Sequence, residues 1–178
     1  RHWKEKEAWF GSKAWLVGQA VALREISLRL STEGNDDAAL LSQQQALRWL
    51  LLHVPSVKAE DEPKDQPDTT AAWSNQLART ISSQDWKPAM SEETLTALAS
   101  TSGDFHDASV PVLEQSLRAE RLVLALDRLS KSLSPASSGP GQTELAALFA
   151  AVQDRSQFQP QDFSVRLDQF AKAIAVSK

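Results

Sequence analysis

The sequence predicts an all-α protein, an irregular bundle of about six to seven helices with a long central N-terminal helix. Three observations carry this. Apolar residues recur every three or four positions in one segment after another. No run of alternating β-branched residues is bounded by hairpin turns. Breaker-rich stretches such as SPASSGPGQ separate the periodic segments. The 178 residues are read as a single helical domain over 1–178. A chain of this length buries roughly 70% of its unfolded surface, so a core forms without staples.

The first segment runs from about Trp3 to Leu30 and contains no proline. Trp3, Trp9 and Trp15 stand six residues apart. At about 100° per residue, six residues turn a helix by about 240°, so the three rings point in three directions and build no common stripe. They belong to separate rows instead. Trp3 aligns with Phe10, Val17, Val21 and Leu28, Trp9 with Leu16, Leu23 and Leu30, and Trp15 with Ile26. Lys6, Lys13 and Arg24 share a narrow strip between the rows. A helix apolar on several sides is surrounded by neighbours, so this one is expected to be the hub of the bundle.

Gly34 is a plausible stop, with Asn35 or Asp36 capping a second helix from about Asp37 to His53, which Pro55 ends. The stretch PSVKAEDEPKDQPD has three prolines, five acids and little to bury. It predicts a mobile acidic loop over about 55–69, without the glycine and ligand spacing of a calcium-binding loop. A helix from Thr70 to Ser82 follows, with Trp73, Leu77 and Ile81 on one face. Ser91 is expected to cap a short helix whose inner face is Leu95, Leu98 and Ala99, and Gly103 to stop it.

Pro111 fits the start of a long helix reaching about Leu133. Leu122, Leu126, Leu129 and Leu133 line one side of it, and Leu113, Leu117 and Leu124 another. Glu114 and Arg118 are spaced for an ion pair. After a flexible loop at about 134–142, Thr143 is expected to cap a helix carrying Leu145, Leu148, Phe149 and Val152. Pro160 opens the last helix, with Phe163, Leu167, Phe170 and Ile174 inward.

Charge and composition exclude several functions. The net charge is −4 at pH 7, and nucleic-acid binding needs a basic face, so nucleic acid is not expected as a partner. With no cysteine there is no disulfide, thiolate zinc site or thiol nucleophile. No phosphate-cradling glycine loop, nucleophile elbow or helical metal-ligand pair occurs. No metal and no cofactor is therefore expected.

The best candidate for an acid–base cluster is Asp104, His106 and Asp107 in GDFHDAS. A carboxylate beside a histidine orients it and makes it a base or a metal ligand. The competing reading is a polar turn in which Asp107 or Ser109 caps the next helix. His53, at a helix C-terminus, fits a capping or core role. Arg118, Arg121 and Arg128 could form an anion strip, though such rows are more commonly paired with neighbouring acids.

Function is expected to be that of a non-enzymatic helical interaction or sensory domain with a protein partner, in a larger or membrane-anchored protein. Trp3 among Arg1, His2, Lys4 and Lys6 has the aromatic and basic character of a membrane-span flank, which predicts an anchor upstream of Arg1 and an extracytoplasmic or membrane-associated setting. The first residue is Arg1 and the single methionine is Met90, so the sequence is not read as a translation start. The alternative is a small-molecule-binding bundle with an apolar pocket lined by Trp3, Trp9 or Trp15. An enzyme using Asp104, His106 and Asp107 is the third expectation.

Overall fold

A computed structural model of the chain describes residues 10–33, 37–57, 66–134 and 141–176. Among these, seven α-helices and no strand are found: α1 (Phe10–Glu33), α2 (Ala38–Leu52), α3 (Pro67–Ser83), α4 (Pro88–Ala99), α5 (Val112–Leu133), α6 (Gln142–Val152) and α7 (Pro160–Ala175). Short 3-10 turns at Ser102–His106 and Arg155–Gln157 precede α5 and α7. The all-α bundle expected from the periodicity is the fold.

Helix α1 is contacted by more than one neighbour, as expected, packing against α2, α3 and α5. However, α5 is the more widely connected helix, packing against α1, α2, α4, α6 and α7. The α1 row Leu16, Leu23 and Leu30 is fully buried, whereas Val17, Val21, Trp15 and Ile26 are half-buried on the flanks. Of the flanking rows, Leu28 emerges to solvent. Of the basic strip, Lys6 lies outside the described residues, and the other two reach α3 and its C-terminal end: Lys13 Nζ donates to the Gln84 carbonyl at 2.7 Å, and Arg24 Nη1 to Asn75 Oδ1 at 3.1 Å. Two polar pairs join α1 to its neighbours. The buried Gln44 amide donates to Ser27 Oγ at 2.9 Å, and Ser12 donates to Ser132 at 2.5 Å.

The bundle has two apolar cores. The first joins α1, α2 and α3 through Leu16, Leu23, Leu47, Leu51, Leu77 and Ile81, and Trp86 closes it. The second joins the end of α2 to α4–α7 through Leu98, Leu122, Leu126, Leu148, Phe163 and Phe170. Trp15 packs against both.

Several helix ends differ from expectation. Asp37, rather than Asn35 or Asp36, caps α2, accepting from the amides of Ala39 and Leu40 at 3.0 Å each. Helix α3 begins at Pro67, because proline at the first helical position loses no bonded amide. Helix α4 likewise begins at Pro88, and Ser91 lies inside it. The Ser91 hydroxyl is buried and accepts from the Trp86 indole at 2.9 Å, so a tertiary donor has claimed it instead of the helix end. Helix α4 stops at Ala99 and Gly103 falls in the 3-10 turn.

Gly141 at φ +80°, not Thr143, occupies the N-cap of α6, a left-handed conformation that suits glycine. On α5, Leu117 is buried, but Leu113 and Leu124 are 46% and 54% exposed, so that side faces outward. Trp3 and Trp9, most of the acidic stretch 55–69 and most of the loop 134–142 lie outside the described residues. No described helix is long and apolar enough to cross a membrane.

Candidate functional site

The residues richest in chemistry gather where the end of α2 meets the 3-10 turn and α5. Trp49 and His53 lie one helical turn apart on α2, which brings their rings together with centroids 4.8 Å apart. The turn Ser102–His106 carries Asp104 to the same place. One oxygen, Asp104 Oδ2, accepts from the Trp49 indole at 2.7 Å and faces His53 Nε2 at 3.1 Å. His53 Nδ1 stands 2.8 Å from the Trp49 carbonyl, one of the last carbonyls of α2.

Across the Trp49 ring lies Arg118 of α5, its guanidinium carbon 5.6 Å from the ring centroid, within cation–π reach. Glu114 pairs with Arg118 on the same helix, as the spacing predicted, and both side chains are largely buried. The ring is thus held between a His–Asp pair and an Arg–Glu pair. Behind it, Phe105, Phe163 and Phe158 continue the aromatic contact in edge-on and tilted steps, with centroid distances of 5.8, 4.7 and 5.7 Å.

The turn does not keep Asp104, His106 and Asp107 together. Asp104 goes to Trp49 and His53. His106 is exposed and its Nε2 lies 2.9 Å from Ser164 Oγ of α7. Ser164 donates its single proton to the Ser102 carbonyl at 2.9 Å, so His106 Nε2 is the donor in that pair. Asp107 is exposed and accepts from the amide and hydroxyl of Ser109 at 2.9 and 2.6 Å. These bonds hold its carboxyl below the usual aspartate range, the Ser109 hydroxyl first and its amide second. Gln115 of α5 anchors the turn by donating to the carbonyls of Asp107 and Val110.

The arginines are not a strip of free cations. Arg118 is paired with Glu114. Arg121 is lowered from the ordinary arginine value by burial, the largest cause. The tryptophan candidates also divide: Trp15 is wedged between the two cores, and Trp3 and Trp9 are outside the described residues. Trp73 lines a groove. With Ser56, Val57, Gln76, Leu77, Thr80 and Gln84 it borders a volume of about 610 Å³ beside α3. Ser56 and Gln84, which line it, each carry a buried side-chain oxygen without a hydrogen-bond partner. Among the described residues no group of three or more His, Asp or Glu could hold a metal ion.

The fold and this cluster define a cysteine-free helical bundle whose most chemically rich residues join one element to another. No protein-family model, no curated protein and no solved structure matches the chain.

Proposed function

We propose that the chain is a non-enzymatic helical interaction or sensory domain of a larger or membrane-anchored protein. One observation carries the reading: side chains with catalytic character are engaged in structural bonds, while large apolar side chains of α5 face outward. Leu113 and Leu124 lie eleven residues apart, which returns them to within about 20° of one helical line. Both are roughly half exposed. Exposed apolar groups on one face suit a protein partner.

The test is in-cell crosslinking with a photoreactive residue at position 120, between the two leucines, in the source organism. The expected result is a discrete crosslinked partner, lost in the Leu113→Asp/Leu124→Asp variant while its melting temperature is kept. A crosslinking pattern identical in the variant overturns the proposal. The anchored form rests on Trp3 and its basic neighbours alone. A coding sequence with no apolar span or signal ahead of Arg1 would remove it.

The Trp73 groove supports a second reading, a small-molecule carrier. The Trp73 indole, Val57 and Leu77 would pack on a ligand's apolar body, with Gln76 and Thr80 as the polar groups of the lining. Native mass spectrometry of freshly purified protein should then show a bound adduct that Trp73→Ala loses; a bare mass for both proteins refutes it.

A further inference from the structure

We propose that His53 and Asp104 form a pH-dependent clasp between α2 and the turn that leads into α5. The proposal is independent of the interaction reading and stands on the hydrogen-bond directions around one imidazole ring. The Trp49 carbonyl, 2.8 Å from His53 Nδ1, only accepts, so that nitrogen must carry a proton to bond. The Asp104 carboxylate, 3.1 Å from Nε2, makes an ion-pair contact that a proton on the second nitrogen strengthens. Both contacts are fully made only by the imidazolium.

A neutral imidazole has a single N–H. On deprotonation one nitrogen keeps its bond and the other sets a lone pair against an acceptor oxygen. One arm of the clasp then opens. Either the last turn of α2 loses the cap on the Trp49 carbonyl, or Asp104 loses its charged donor and keeps only the indole bond at 2.7 Å. The ring is about one-third exposed, so solvent protons reach it.

The charged groups around it come from each neighbouring element. Asp104 faces it from the 3-10 turn, and His106 of that turn faces Ser164 instead. Arg118 and Glu114 of α5 sit beyond the Trp49 ring as a closed pair, so they add little net field at His53. Trp49 belongs to both arms, giving its carbonyl to Nδ1 and its indole N–H to Asp104. Proton loss at His53 is thereby passed to an aromatic ring that reaches the second core.

The experiment is hydrogen exchange of the full chain at about pH 5.5 and about pH 8.5, corrected for the intrinsic rate. The readouts are the backbone amides at the two sides of the clasp, His53, which bonds the Leu50 carbonyl, and Asp104, which bonds that of Thr101. Protection of both should fall about tenfold at the higher pH, the size of one bond to a charged group. His53→Gln and Asp104→Asn should show no such fall. Nitrogen-15 spectra at the lower pH should show hydrogens on both ring nitrogens of His53. Equal protection at the two pH values in the unmodified protein, or a single ring N–H at the lower pH, overturns the clasp.

Discussion

At the scale of single residues, the structure shows how much depends on which group reaches a side chain first. Asp104 and His106 are two residues apart, yet each is claimed by a different helix, α2 and α7. Ser91 looks like a cap and is instead the acceptor for a buried indole. Gly141 is a residue whose conformation is required. A Cβ there would stand 3.0 Å from the Phe170 ring and 3.1 Å from Ile174 Cγ2, on a backbone at φ +80°. Gly141→Ala should therefore destabilise the protein by about 1–2 kcal/mol, from left-handed strain and crowding together. A shift of the urea midpoint with an unchanged slope would register it; no shift would mean that α6 begins elsewhere.

At the scale of elements, the helices were legible and their ends were less so. The 3.6-residue period is dictated by burial, and buried rows such as Phe163, Leu167 and Phe170 repeat it cleanly. End positions depend on competing local bonds separated by fractions of a kcal/mol, which a tertiary contact easily reorders. Proline opens α7 as expected, and Pro67 and Pro88 open α3 and α4 in the same way. These assignments can be tested as a pair. Asp37→Ala should cost about 1 kcal/mol, because two amides lose their acceptor. Thr143→Ala should stay within about 0.5 kcal/mol, since Thr143 is an exposed residue of the first turn of α6. Equal losses would return the cap of α6 to Thr143. The candidate site was half legible for a related reason. Trp49 and His53 show their i,i+4 spacing in the sequence, but their partner Asp104 lies 51 residues beyond His53, and no local pattern joins them. A histidine at a helix C-terminus one turn after a tryptophan was the only available signal.

At the scale of the whole molecule, two cores meet along α2 and at Trp15, and the surface carries small acid-sensitive staples. Asp107 and Asp154 each accept from a serine two residues on, and those bonds hold both carboxyls below the ordinary aspartate value. A group depressed in the folded state stabilises it above the unfolded pKa, and that contribution disappears as pH falls through the folded value. The affected window lies below about pH 4. Urea unfolding from pH 6 down to pH 2 should show stability falling on the acid side, with a shallower fall in the Ser109→Ala/Ser156→Ala variant. Identical acid limbs would show that neither staple contributes. The placement of the two cores also bears on synthesis. The first core draws its buried residues from Leu16 to Trp86, with Met90 packed at its edge, whereas the second takes Trp49 and Leu50 from α2 and waits for residues as late as Phe170. A chain leaving the ribosome therefore completes one half while the other is still being translated. In the interval α2 presents Trp49 and Leu50 uncovered, a sticky edge on a nascent intermediate that a holding chaperone would be expected to shield until α5 arrives.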